Sequence, residues 1–266
     1  MNSLFDISQY EKSKPKKKKI NRKNIGLDFI YTDSIARGLC CMACAAGLKY
    51  GAQSGSGKIC KYADEEWHKL TFLDLDFKNY DHEVHIAKVK QWKPKYSIVR
   101  DIMTKEQCAT LGIQWYSFEQ IIEWAEEIDQ YAENTVIVPK YPEIFDKIPE
   151  KYMLGYTTGG GYSKSTPLPL EAYVGRRVHI LGGSWKRQLA MIEECLELGV
   201  DIVSVDNNNL SKKAIYGVFN YQDGNTGKVK ELGLEGLTNH WHVASVISFG
   251  NIAAKIHEMF SEEKEC

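Results

Sequence analysis

Several short apolar runs of this chain stop on an aspartate. Leu27–Thr32 is followed by Asp33, Thr71–Phe77 carries Asp74 and Asp76, Tyr96–Ile102 holds Asp101 just before its end, and Val200–Val205 is followed by Asp206. Side chains two apart on a strand point the same way, so Asp74 and Asp76 are expected on one face. In parallel β/α architectures the strand ends converge on one face of the sheet or barrel, and that face carries the chemistry. Several carboxylates in one pocket suit two reactions. Glycosyl transfer with retention needs one carboxylate as nucleophile and a second group as acid and base. A divalent-metal site also uses clustered carboxylates. Spacing alone leaves both open, and Asp206 could also do no more than cap the turn after its strand.

The segment Val178–Lys213 shows how such residues are positioned. Val178–Leu181 is a strand-like run closed by Gly182 and Gly183. Ser184 is placed to cap a helix whose Leu189, Ile192 and Leu196 share one face, and Gly199 stops it before the run that leads to Asp206. The same alternation recurs along the chain. Ala36–Tyr50 reads as a helix of small residues followed by a flexible GAQSGSG at Gly51–Gly57, and Asp81–Trp92 as a helix. Thr104 with Gln107, and Ser117 with Gln120, have the spacing of capping boxes. Thr135–Val138 and Tyr152–Thr157 read as strands, and His242–Phe260 as a closing helix. Seven strand candidates result, with an eighth expected in Ala214–Phe219 or near Gly233. The expected fold is therefore α/β, a TIM-type (β/α)8 barrel, whole or else incomplete or distorted, ahead of an open sheet.

With 266 residues the chain has the length of one such barrel, about 250 residues being typical. Residues 25–266 are read as one catalytic domain and residues 1–24 as a flexible basic arm, since Lys14–Lys23 is dense in lysine, including Lys16, Lys17, Lys18 and Lys19, and poor in apolar side chains. The net charge of −1 excludes a chain that is polycationic throughout. The arm alone offers phosphate-backbone contacts. No apolar stretch approaches the roughly 18 residues of a membrane span, and the N-terminus lacks the apolar core of a signal peptide. Seven cysteines without framework spacing fit reduced thiols and a cytoplasmic location.

Four motifs occur in an order that resembles the queuine/archaeosine tRNA-guanine transglycosylases. YMLGYTTGGGYS is similar to their G-Y-x-x-G-G-L strand. HILGGSWKRQLAMIEECLELGVDIVSVD is similar to the next unit, which leads to the nucleophilic aspartate. PKYSIVRD resembles their D-I-V-M-x-F-D strand, and LTNHWHVASVISFGNIAAKIHEMF their closing segment. The resemblance runs from about Phe72 to Phe260. It is nearest to the divergent branch from phages and DNA-modification islands, which inserts 7-deazaguanines into DNA.

The resemblance implies exchange of guanine for a free deazaguanine base, such as 7-cyano-7-deazaguanine. Asp206 is then the nucleophile, although it lies two residues beyond the family's position, where this chain has Ser204. Asp101 would bind the heterocycle's amine and ring N–H groups, and Gly160 and Gly161 its carbonyl edge. The second carboxylate is Asp74 or Asp76, preferred by position over Asp33, which matches the letters of the family's T-D-S-G-G-F. The glutamine of the family's V-Q-G-G motif is absent from Val136–Lys140. Lys212 and Lys213 could hold phosphates flanking the target nucleotide.

No cofactor is expected. His240 and His242 stand near the family's zinc-ligating histidine, but its cysteine cluster is absent. Cys41, Cys44, Cys60 and His68 form an alternative zinc set, for which packing on a small-residue helix is the ordinary reading. The RNA-binding domain appended in archaeal relatives is expected to be absent. DNA is therefore the expected partner ahead of tRNA, with no membrane role. A tRNA-guanine transglycosylase, a carboxylate- or metal-dependent hydrolase on the same barrel, and an inactive nucleic-acid-binding subunit remain alternatives.

Overall fold

The computed structural model describes residues 26–33, 39–56, 69–158 and 168–261. Eight parallel strands close into a barrel in sequence order: β1 (Asp28–Asp33), β2 (Lys49–Gln53), β3 (Leu70–Asp74), β4 (Tyr96–Ile98), β5 (Asn134–Ile137), β6 (Met153–Thr157), β7 (Arg177–Leu181) and β8 (Asp201–Asn207). β1 pairs with β8 to complete the ring, Ile30 lying opposite Asp206. The expected (β/α)8-type architecture is the one observed. Its helical layer is uneven. The described helices are α1 (Leu39–Ala45), α2 (His82–Trp92), α3 (Lys105–Leu111), α4 (Phe118–Asp129), α5 (Trp185–Leu198), α6 (Asn209–Ala214) and α7 (Trp241–Ser261). Between β5 and β6 the described covering element is a 3-10 turn, Pro142–Lys147, in place of an α-helix.

The strand expected near the C-terminal end is β2 instead, inside the segment read as helix and flexible loop. The helix there stops early. Gly47, at φ 94°, ends α1. The Gly47 N–H donates to the Cys44 carbonyl and the Leu48 N–H to the Ala43 carbonyl, a paired closure that leaves Leu48 buried as the chain turns into β2. Within β2, Tyr50 and Ala52 join the outer core. Gly51 faces the barrel interior, where a Cβ would stand 2.8 Å from Ile30 and 2.9 Å from Thr32 Oγ1. The two regions proposed for the eighth strand instead supply β9 (Val218–Gln222) and β10 (Val229–Gly233), an antiparallel pair outside the barrel. α7 packs over β9, α6 and α1.

Two apolar layers follow from the alternation of strand side chains. Ile30, Phe72, Tyr96, Ile98, Val136, Val138 and Met153 fill the interior. Phe29, Tyr31, Ile137, Leu154, Ile180, Ile202 and Val205 face outward beneath the helices. One irregularity matters for the site. The β7–β8 register shifts so that Val178 pairs with Ile202 but His179 with Ser204. Val203 is the extra residue of this bulge, and beyond it Ser204 and Asp206 point into the barrel.

Thr104 and Gln107 form a complete capping box; at the second site only half of one forms, Ser117 accepting from the Gln120 N–H while the Gln120 side chain donates to Glu123; Ser184 accepts from the Arg187 N–H, and Gly199 closes α5 at φ 80°. No helix among the described residues is long and apolar enough to cross a membrane.

Candidate active site

A cavity of about 600 Å³ opens at the C-terminal ends of the strands. Its wall takes Thr32 from β1, Gln53 from β2, Asp74 from β3, Asp101 beyond β4, Lys140 beyond β5, Thr157 from β6, Leu181–Gly183 at the end of β7, and Asp206 to Asn209 with Lys212 around β8. This is the face on which such barrels keep their chemistry.

Asp206 sits on β8, and only 8% of it is exposed. Thr32 Oγ1 donates to its Oδ2 at 3.0 Å. Its Oδ1 lies 3.3 Å from His179 Nε2, outside hydrogen-bond geometry, and neither atom has a hydrogen-bond partner among the described residues. The backbone around Asp206 is braced. Gln188, in the second turn of α5, donates to the carbonyls of Gly182 and Asp206, both at 2.8 Å. Asn207 Nδ2 donates to the Gly183 carbonyl and to Gln188 Oε1. The Gly182–Gly183 turn has both residues at positive φ, and Thr158 Oγ1, which donates to the Gly182 carbonyl, fills the place of a Gly183 side chain.

Asp74 is the last residue of β3 and accepts from the Leu75 N–H at 2.8 Å. Asp74 is half-buried at the cavity wall; desolvation there, with Asp206 and Asp101 adding negative charge nearby, raises its carboxyl well above the ordinary carboxylate range. Asp74 is therefore a carboxyl of this cluster disposed to hold a proton. Asp101 is 8% exposed and forms an ion pair with Lys140 Nζ at 3.2 Å; Lys140 also reaches Thr157 Oγ1 at 3.4 Å.

The expected residues separate on the structure. Asp74, Asp101, Asp206 and Lys212 share the cavity wall. Asp76 does not share a strand face with Asp74, because β3 stops at Asp74. Its carboxylate caps a turn, accepting from the N–H groups of Lys78 and Asn79 and from Asn79 Nδ2. These hydrogen bonds hold its carboxyl low, against the effect of burial. Lys213 is ion-paired with Glu231 on β10 instead of lining the cavity. Asp33 ends β1, opposite Ala52. The Asp33 side chain, Gly160, Gly161, Cys60, His68 and Lys16–Lys19 lie outside the described residues.

Cys41 and Cys44 lie on α1 and pack against the outer core, and His240 and His242 are exposed with rings 6.2 Å apart. Among the described residues no group of three or more His, Cys, Asp or Glu side chains is arranged to hold a metal.

Sequence reasoning missed Lys140, His179, Thr32 and Gln53. Lys140 was legible, since Val136, Val138 and Lys140 share strand parity and the lysine closes the run. His179 was hidden in an apolar run, where a histidine reads as a packed residue.

A family model described as a family of unknown function, DUF6610, matches residues 43–241, a span that contains Asp74, Asp101, Lys140, His179 and Asp206. No curated protein matches the chain. By that match over most of its length, the chain belongs to the DUF6610 family.

Proposed function

We propose that this protein is a base-exchange transglycosylase, acting on guanine in nucleic acid through a covalent aspartyl-glycosyl intermediate. The observation that carries the reading is the contrast between two carboxylates of one cavity. Asp74 is pushed toward its protonated form by burial and by its acidic neighbours, while Asp206 accepts a hydrogen bond from Thr32 and faces His179. An acid and a nucleophile set apart by their surroundings are what retaining glycosyl chemistry uses.

In this mechanism the target guanine leaves the helical stack to enter the cavity. An Asp206 carboxylate oxygen bonds to C1′. The C1′–N9 bond breaks, its electron pair goes to the departing base, and that base takes the proton of Asp74. The incoming deazaguanine then gives its ring N–H proton to the Asp74 carboxylate. Its nitrogen attacks C1′ and displaces Asp206, with net retention. Asp101 accepts from the amine and N–H edge of the base, and Lys140 beside it can donate to an acceptor on the same heterocycle. Lys212, exposed at the cavity wall, is placed to meet a flanking phosphate.

We favour DNA as the acceptor, with the lysine run at Lys14–Lys23, including Lys16 to Lys19, contributing sequence-independent contacts to the duplex. The test is incubation of the purified protein with radiolabelled guanine and either duplex DNA or tRNA. Label in DNA, absent with Asp206→Asn, is the expected result. Label in tRNA alone would overturn the choice of acceptor. Release of free base without incorporation would assign a hydrolase. DNA binding with neither reaction would assign an inactive binding subunit.

A further inference from the structure

The buried histidine behind Asp206 has no part in the reaction as written above. His179 is fully buried on β7, its ring stacked on Phe72 with centroids 4.7 Å apart. Nδ1 is 2.7 Å from Ser204 Oγ, and Nε2 is 3.3 Å from Asp206 Oδ1. The order Ser204, His179, Asp206 has the members of a serine-nucleophile triad, but its direction is reversed. Ser204 has no exposure, so its hydroxyl cannot meet a substrate, and the carboxylate is the end that reaches the cavity. The arrangement depends on the bulge at Val203, which turns both Ser204 and Asp206 inward.

A second buried histidine supplies the contrast. His85 has Ser54 Oγ on one ring nitrogen and Ser97 Oγ on the other, so both are satisfied by neutral hydroxyls. His179 has a hydroxyl on one side only. Its other nitrogen and the facing carboxylate oxygen are both buried and without a hydrogen-bond partner among the described residues. Buried polar atoms left short in this way call for an explanation, and catalytic contacts are often long until substrate binds.

We propose that His179 is a positioning residue for Asp206: Ser204 donates to Nδ1, which fixes the proton on Nε2, and the Nε2–H closes onto Asp206 Oδ1 when substrate enters. The other tautomer would aim a nitrogen lone pair at a carboxylate, with no hydrogen between them. Held by Thr32 on one oxygen and His179 on the other, Asp206 keeps one orientation toward C1′. The catalytic part of this inference rests on the transglycosylase reading; the proton position does not.

The experiment therefore has two arms. Long-range proton–nitrogen NMR of the full chain labelled with ¹⁵N-histidine, with His179 assigned from His179→Gln, should show Nε2 protonated. Ser204→Ala should move the Nδ1 signal, and Asp206→Asn the Nε2 signal. A proton on Nδ1 alone would overturn the proposal. In the exchange assay His179→Leu should lower kcat on the order of 10²-fold at unchanged KM for the base. His179→Gln, whose amide can still donate, should recover most of that loss. Wild-type kcat in His179→Leu would overturn the proposal. Absence of exchange in the wild type would remove the transglycosylase reading and leave the NMR arm to decide the proton position.

Discussion

The two ends of the barrel each hold an inward carboxylate on one pair of neighbouring strands, and they treat it differently. Asp28, at the N-terminal end of β1, receives Lys95 Nζ at 2.7 Å and the Tyr96 hydroxyl at 2.8 Å, and is opposite Ser204 in the β1–β8 register. Asp206, two residues further along β8, receives Thr32 on one oxygen and has its other oxygen unbonded opposite His179. Burial and the bond to Asp28 push the Tyr96 hydroxyl upward, so it stays a donor. At one end two donors meet on a single carboxylate oxygen, and the Tyr96 bond ties β1 to β4. The other is left short of partners, beside Asp74, whose carboxyl is raised by burial and by the nearby charge of Asp206 and Asp101. A barrel can carry the cost of that second arrangement only where substrate or chemistry later supplies the missing partner.

This contrast can be broken experimentally, and the largest effect belongs to Asp206. Asp206→Asn should abolish base exchange, by on the order of 10⁴-fold or more, with the fold intact by circular dichroism. Normal exchange would remove Asp206 as the nucleophile.

Asp74→Asn should lower kcat by about 10²–10⁴-fold, the usual range for a lost acid–base group. It also has a stability signature of definite sign. A carboxyl whose folded pKa is raised stabilises the fold below its unfolded pKa, and that contribution is lost as pH rises toward the folded value. Asp74→Asn should therefore raise Tm near pH 7, with the gain shrinking toward pH 4. A mutant less stable than wild type at pH 7 would contradict an upward shift at Asp74.

Asp101→Ala should weaken use of the free base by roughly 1.5–3 kcal/mol while leaving nucleic-acid binding almost unchanged, because it also strands the buried Lys140 ammonium. Competition assays with the free base and with DNA separate the two. The smallest effect lies at the other end. Asp28→Asn keeps an acceptor for Lys95 and Tyr96, and should cost about 1 kcal/mol of stability with unchanged kcat. A large loss of activity there would undo the division between the two ends.

Much of this was legible in residue order. Ser184, Thr104, Ser117 and Gly199 mark helix ends by local chemistry, and the structure uses each as a cap or stop. Asp74, Asp101 and Asp206 were found by their place at strand ends, and all three line one cavity. The misreading of Lys49–Gln53 has a local cause. Alanine, cysteine and glycine carry little periodicity, and the stop signal was Gly47 rather than Gly51. Asp74 and Asp76 could not be told apart, because parity treats them alike until the strand is seen to end between them.

The sequence by itself determined the alternation of strand and helix outside Lys49–Gln53, the caps, and the carboxylates at the strand ends, since each depends on residues within one turn or one strand. Tertiary structure alone decided how those carboxylates differ. Thr32 lies 174 positions from Asp206 and His179 meets Ser204 only through the bulge in β8, so Asp206's partners exist only once the barrel closes. The upward shift of Asp74 likewise needs the closed barrel, because burial and the charge of Asp206 and Asp101 act through space.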